Sequence, residues 1–391
     1  MPIVNCIPEL LREIRTWRHE IHAHPELAYN EHRTAAFVAE RLHEFGCDEI
    51  VTGLAKTGVV GVIRGTRAES SGNTKVIGLR AELDALPIEE ATNLPYVSRT
   101  KGVMHACGHD GHTAMLLGTS RYLAETRNFA GTVVVIFQPA EEHGYGAVAM
   151  IKDGLMERFG IEEVYGMHNW PGAPVGTFAI RRGPAWAAVD SFDIKIEGRG
   201  GHAMEPHKCI DSVLIGALLI TALQQIVARN VDPLEPAAIS IGKFHVGEFS
   251  SVIAQTSELR GNIRAVTPEV RKLMRRRLRE VVAGTAQMTG AKIELNFVGA
   301  CPTVINSAAQ TQHAINAARE IVGESNVDEM MPPIMSGDDF ADMLEARPGA
   351  YILCGNGDSA GLHHPAYEFN DAAMQYGVSY WIKVAENALS G

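Results

Sequence analysis

The chain has 391 residues, 46% hydrophobic and 21% charged, the ordinary balance of a soluble globular protein, which excludes a disordered chain or a fibrous repeat. At about 150 residues per domain, that length implies two to three domains. Asp and Glu number 46 against 35 Lys and Arg, a net charge of −11, so no nucleic-acid partner is expected.

The one basic run, Arg271 to Arg279, is interrupted by Leu273, Met274 and Leu278 at roughly helical spacing, which reads as a solvated helix face. Residues 1–20 carry charges and a Trp where a secretory signal needs an unbroken apolar stretch, so a cytoplasmic protein is expected. The longest apolar run, residues 212–228, contains Gln224 and Gln225 and falls short of a span of ~20 apolar residues. It reads as a buried or interface helix, with no membrane partner. Six cysteines are scattered singly, and free thiols are the default.

In chain order, helix-period apolar residues predict helices over 8–21 and 31–45, and a strand follows over 57–64. Residues 76–83 and 131–138 are short apolar runs of the kind buried in a largely parallel sheet, with a helix over 111–124 between them. Strands alternating with helices predict an α/β architecture. From about residue 187 the pattern changes. Strands over 189–197, 237–246, 255–266 and 291–298, with helices over 210–229 and 268–289, give the order β-α-β-β-α-β of a ferredoxin-like domain. The α/β pattern then resumes with helices near 311–322 and 340–345, a strand over 350–354 and a last helix over 371–389. The expected organisation is a discontinuous domain, residues 1–186 and 300–391, built on a mostly parallel, doubly wound sheet. Residues 187–299 form a ferredoxin-like insertion.

Five segments concentrate His, Cys and carboxylates, most of them at or just after a predicted strand end, where open α/β sheets place ligands. They are Leu79-Arg-Ala-Glu-Leu-Asp-Ala-Leu-Pro87, Met104-His-Ala-Cys-Gly-His-Asp-Gly-His112, Phe137-Gln-Pro-Ala-Glu-Glu142, Gly166-Met-His-Asn-Trp170 and Gly361-Leu-His-His-Pro365. Cys107 and His109, two apart across a flexible Gly, suit a zinc-like ion. Each segment alone has a bland explanation: a loop histidine, a solvated Glu pair, a small buried thiol. Five within one domain argue for a metal site.

These motifs, with Gly200-Gly-His-Ala-Met-Glu-Pro-His207, Ser336-Gly-Asp-Asp-Phe340 and Leu362-His-His-Pro365, closely resemble the M20 metallopeptidase family. The subgroup it resembles contains hippurate hydrolases, other N-acyl-amino-acid amidohydrolases and auxin-conjugate hydrolases. The resemblance runs from His24-Pro-Glu26 to Phe369-Asn-Asp371. It implies two divalent ions per subunit (Mn²⁺, Zn²⁺, Co²⁺ or Ni²⁺), with Cys107 bridging or lying between them and His109, Glu142, His168 and His363 as the remaining ligands. Glu141 would be the general base that activates a metal-bound water, and Asp84 would orient a ligand. His202 would stabilise the developing oxyanion, reaching the site from the partner subunit of a homodimer or higher oligomer formed through the inserted lid domain.

The chemistry fits independently, because amide hydrolysis needs a polarised carbonyl and a deprotonated water, which a metal pair supplies. Two readings stand for Asn262 and Arg264: a clamp for a substrate carboxylate, or ordinary strand residues. Met204 and His207, beside His202, are candidates for the substrate pocket. Two departures stand out: Glu82 where the family commonly has Asp, and Met204 where it has a small residue. His19, His22 and His24, and likewise His143 and His245, read as structural or surface histidines.

The expected function is hydrolysis of a small-molecule N-acyl amino acid to a carboxylic acid and a free amino acid. The runner-up is a dipeptidase or aminopeptidase with the same metal centre, and a non-catalytic metal-binding or ligand-sensing protein is the alternative of another class.

Overall fold

The structure is a computed structural model that describes residues 7–67, 75–142 and 145–390. The chain divides into two compact units. The first runs to Gly183 and resumes over Ile305–Pro332 and from Asp339; the second comprises Pro184–Val304 and Pro333–Asp338.

In the first unit, helices α1 (Ile7–Ala23) and α2 (His32–Glu44) precede strands β1 (Glu49–Leu54), β2 (Gly58–Arg64) and β3 (Val76–Glu82). Helix α3 (His109–Thr126) and strands β4 (Thr132–Gln138) and β5 (Glu163–Pro171) follow. The sheet order is β1, β2, β4, β3, β5, then the strands Gly349–Gly357, Phe178–Ala179 and Val327–Asp328. Its centre is parallel, from β4 through β3 and β5 to Gly349–Gly357, while β1 and β2 make an antiparallel edge. Strands β2 and β4 are buried along nearly their whole length, which is why they read as runs rich in Val and Ile rather than as an alternation.

Strand β1 escapes sequence prediction because it is an edge strand with Glu49 and Thr52 exposed, so no apolar period marks it. Helix α3 begins at His109, two residues before the expected start, and 14 of its 18 residues are buried. Such a helix can lie inside the core only if its polar groups are satisfied. The Thr119 and Ser120 hydroxyls donate to the Met115 and Leu116 carbonyls at 3.0 and 2.7 Å. Gly118 lets α1 cross closely, since a Cβ there would lie 2.4 Å from Ile14 Cδ1.

The second unit is a four-stranded antiparallel sheet in the order Ala237–Val246, Thr256–Ala265, Ala188–Glu197, Lys292–Cys301. Helices Ser212–Asn230 and Pro268–Thr289 complete the β-α-β-β-α-β order. Ile215, Leu219, Leu223 and Ile226 of the first helix pack with Met274, Leu278 and Val282 of the second in one core. Helix Ser212–Asn230 is long and apolar enough to cross a membrane by composition; its Ile215, Leu219, Leu223 and Ile226 are buried in the unit's core, while Val213, Leu214 and Leu218 on the same helix are exposed. Asp211 caps it by accepting the Val213 amide at 2.8 Å. Residues 300–304 and 333–338, placed in the first domain by pattern, belong to this unit: the Arg264 guanidinium donates to the Met335 carbonyl at 2.6 Å and Ile334 accepts the Ala187 amide at 2.8 Å.

The basic run is not a free solvated face. Arg271 and Arg275 both donate to Asp190, which is fully buried on the first strand of this sheet.

Candidate metal centre

The carboxyl ends of β3, β4 and β5 converge in the first unit, and each delivers donors there. Asp84 follows β3, Glu141 and Glu142 follow β4, and His168 lies on β5. Cys107 and His109 come from the loop that opens α3, and His363 from the loop after Gly349–Gly357.

Gly108 makes the Cys107–His109 turn possible: its φ is +91°, and a Cβ there would fall 2.4 Å from Asn169 Nδ2 and 2.5 Å from the Tyr367 hydroxyl. Tyr367 donates to Asn169 Oδ1 at 2.7 Å, and Asn169 Nδ2 donates to the Cys107 carbonyl at 2.7 Å. The backbone carrying the thiol is thus held from behind.

Three donor groups result. Cys107, His109 and His168 lie with their ligand atoms within 4.8 Å of one another, as do Cys107, Glu142 and His363, and His109, Glu141 and Glu142. The first two triads share Cys107, which suits a thiolate between two ions.

Hydrogen bonds set the imidazole tautomers. His109 Nδ1 meets the Asp84 carbonyl at 2.8 Å and His168 Nδ1 meets the Asn169 carbonyl at 2.7 Å. A carbonyl only accepts, so each Nδ1 carries hydrogen and each neutral ring turns an Nε2 lone pair to the centre. His168 Nε2 lies 3.4 Å from Cys107 Sγ, and His109 Nε2 lies 3.9 Å from Glu141 Oε2. Asp84 also accepts the Glu142 amide on Oδ2 at 2.9 Å.

Glu82, His109 and His112 form a further cluster, but His112 is already committed. Its Nε2 accepts the Asn169 amide at 3.0 Å, so Nδ1 carries the hydrogen and donates to Glu82 Oε2 at 2.8 Å. Glu82 in turn pairs with the fully buried Arg80. The longer carboxylate at position 82 therefore serves Arg80 and His112. Of the two adjacent loop histidines, His363 Nε2 lies 3.3 Å from Glu142 Oε1, whereas His364 Nδ1 accepts the Ala366 amide at 3.0 Å.

A match to the model of Peptidase family M20/M25/M40 covers residues 78–387. The chain belongs to this family. It is 42% identical over 386 residues to the hippurate hydrolase of Campylobacter jejuni subsp. jejuni, spanning 98% of this chain and 99% of that one. It is 40% identical over 359 residues to the N-acetyl-L-cysteine deacetylase of Bacillus subtilis, spanning 91% and 83%. Among solved structures, the Bacillus subtilis YXEP protein, described as a dinuclear metal binding peptidase from the M20 family, superposes with a TM-score of 0.84 at 32% identity, covering 98% of this chain and 99% of that one.

This M20 family member is a hydrolase, and its donor set fits divalent metal. His109 Nε2 and Glu142 Oε1 are buried without a hydrogen-bond partner, an arrangement that costs about 1–3 kcal/mol per group unless a cation completes it. Burial pushes the Cys107 thiol well above its usual range, and Glu142, Glu141 and Glu82 push it the same way. Burial, then the neighbouring His112, pushes His168 well below the ordinary imidazole value, leaving it neutral and able to coordinate. For His109, burial favours the neutral ring, yet the Asp84 hydrogen bond and the Glu82 charge outweigh it and raise the pKa to about 10. A divalent cation reverses the thiol's preference and displaces the proton on His109, so metal binding here releases protons and strengthens as pH rises.

The remaining predicted residues lie in the second unit. His202 is exposed on the short strand Gly201–His202, paired with Val252–Ile253. Met204 is 74% exposed, and His207 is exposed on the turn Pro206–Lys208. Arg264 donates to Asn262 Oδ1 at 3.1 Å as well as to Met335. His245 is exposed, and His143 lies outside the described residues.

Sequence reasoning passed over the supports: Arg80, His112, Asn169 and Tyr367. It also passed over the buried network in which Arg18 and His22 both bond Asp110, next to His109. Arg80, His112 and Asn169 had a signal, since all three stand inside the quoted motifs.

Proposed function

We propose that this chain hydrolyses the amide bond of N-acyl amino acids to a carboxylic acid and a free amino acid. The observation that carries the reading is the division of labour between two adjacent glutamates. Glu142 belongs both to the donor triad with Cys107 and His363 and to the triad with His109 and Glu141, whereas Glu141, half-buried and facing His109 Nε2 from 3.9 Å, shares no triad with Cys107 among the described residues. When bound, the divalent ions polarise the amide carbonyl and make water a usable nucleophile near neutral pH. Glu141 takes the proton from the attacking water and returns it to the leaving nitrogen. Asp84 keeps both His109 and Glu142 in place. Cys107, His109, His168, Glu142 and His363 hold the ions, and their thiolate, imidazole and carboxylate mixture suits Mn²⁺, Zn²⁺, Co²⁺ or Ni²⁺.

His202 is proposed as the donor to the oxygen that gains negative charge. The Met204 amide donates to its Nδ1 at 3.2 Å, so the neutral ring carries its hydrogen on Nε2. Arg264 and Asn262 are proposed to meet the substrate carboxylate, with Met204 and His207 shaping the pocket. A homodimer through the second unit is also proposed: Val213, Leu214 and Leu218 remain exposed on the apolar helix Ser212–Asn230. A monomeric mass by light scattering would count against it.

The substrate class is supported by relatives whose names specify hippurate and N-acetylcysteine. The test is turnover of hippurate, N-acetyl amino acids and unblocked dipeptides by enzyme loaded with each metal, before and after chelation. Blocked substrates should be cleaved with preference. A preference for free α-amino groups would make the protein a peptidase, and no turnover with metal bound would leave a binding protein.

A further inference from the structure

The turn that presents Glu141 is held from both sides, and one of the two holders comes from the start of α2, remote in sequence from every metal-binding segment. Ala140 has φ +55°, a left-handed conformation that a residue with a Cβ adopts only when its surroundings enforce it. Ala140 is fully buried. Its amide donates to Glu31 Oε1 at 2.9 Å, and the other oxygen of the same carboxylate accepts the Thr57 hydroxyl at 2.6 Å. On the far side of Glu141, the Glu142 amide donates to Asp84 at 2.9 Å.

Glu31 stands at the N-cap of α2 yet makes no capping bond to its own helix. That task is done by Glu26, which accepts the Arg33 amide at 3.0 Å and the Thr34 amide at 2.8 Å. A carboxylate at a helix start ordinarily serves the helix. Here it is fully buried and turned inward to a strained residue next to the catalytic candidate.

We propose that Glu31 is a positioning residue that fixes the Glu141 carboxylate by holding Ala140 in its left-handed conformation. This rests on Glu141 being the general base. Without the acceptor, Ala140 relaxes toward negative φ and the following residue swings, because a rotation at 140 moves everything on its carboxyl side.

Two near-isosteric variants isolate the acceptor. Glu31→Met fills the volume and removes both oxygens. Glu31→Gln keeps an oxygen for the Ala140 amide and can turn its NH2 to the Thr57 hydroxyl, which also accepts. The expected result is a loss of about 10- to 100-fold in kcat for E31M at unchanged KM and metal content, since a displacement of about 1 Å suffices for that. E31Q should stay within about threefold of the unsubstituted enzyme, and E31M should cost nothing further in an E141Q background, because the two residues act as one unit.

Full kcat in E31M, an equal loss in E31Q, a parallel loss of metal, or an additive loss on top of E141Q would each overturn the proposal. If E31M does not fold, Ala140→Pro, which imposes φ near −65° and removes the donor, is measured in the same way. Undiminished kcat there overturns it too. The two assignments fail separately: an active E141Q removes the base itself, whereas an inactive E141Q beside a fully active E31M removes only the role of Glu31.

Discussion

His109 donates its Nδ1 hydrogen to the backbone carbonyl of Asp84 at 2.8 Å, while the Asp84 side chain takes the Glu142 amide at 2.9 Å. One residue thereby orients a candidate ligand on either side of the centre. Asp84 is fully buried, and its pKa lies below the ordinary carboxylate value: burial acts to raise it, but His109, whose Nδ1 lies 3.4 Å from Asp84 Oδ1, and the Glu142 amide outweigh that. Asp84→Asn keeps the shape and removes the charge that steadies His109. Metal affinity should fall about 10- to 100-fold, as for other orienting carboxylates, with little change in far-UV circular dichroism. Titration of the apo-protein with Mn²⁺ or Zn²⁺ measures this, and undiminished affinity would remove Asp84 from the role.

Much of this centre is legible in the sequence for a physical reason. A parallel sheet gathers the carboxyl ends of its strands at one edge, so donors clustered after apolar runs must come together there. The supports are not legible in the same way. Arg80 looks like any charged residue in a strand until Asp339, 259 residues away, is folded against it. His22 differs from its neighbours His19 and His24 only in facing inward, a matter of helix phase that three closely spaced histidines conceal. Glu31 looks like any charged residue at a helix start, because its partner, the Ala140 amide, is a backbone group and leaves no mark in the side-chain pattern.

The Arg80 network makes a prediction about stability. Its guanidinium, fully buried, donates to Gln138 at 2.9 Å and Asp339 at 2.8 Å, and it pairs with Glu82. Glu82→Ala strips a buried cation of a paired carboxylate and should cost about 3–5 kcal/mol. Glu82→Asp, which keeps the charge one methylene shorter, should cost less than half as much. Guanidinium unfolding of the metal-loaded variants compares them, and an E82A protein as stable as E82D would refute the pairing argument.

A pH dependence follows from His22. It is enclosed by Asp110 at 2.9 Å, Glu90 at 3.2 Å and the rings of Tyr96 and His105, with Arg18 also bonded to Asp110. Burial opposes its charge, but the Asp110 charge and hydrogen bond prevail, with Glu90 assisting, and raise the pKa to about 9. A raised folded-state value stabilises the protein fully below the unfolded pKa of about 6.5 and ceases to do so as pH climbs through about 9. The midpoint of thermal unfolding should therefore fall between pH 7 and pH 9.5, by an amount matching up to about 3 kcal/mol. His22→Gln should flatten that part of the profile. An identical slope in H22Q would show that other groups carry it.

In the second unit the decisive charge is Asp190. Arg271 grips it with Nε at 2.9 Å and Nη2 at 2.8 Å, and Arg275 adds a third bond at 2.8 Å. Arg276, in the same run, pairs with Glu280 at 3.6 Å on the exposed side of the helix. The four residues separate two effects that the bare basic run conflates. Losing Arg271 and Arg275 together leaves a carboxylate buried without a cation and should cost about 3–5 kcal/mol, whereas Arg276→Ala removes a solvated pair worth about 0.5 kcal/mol. Arg279 lies between these limits: its guanidinium is stacked over Phe297 at 5.0 Å, and Arg279→Ala should cost about 0.5–1 kcal/mol. Denaturant titration of the three variants gives the ranking. If R276A proved as damaging as R271A/R275A, the run would be acting through its total charge, and the buried position of Asp190 would have no bearing on it.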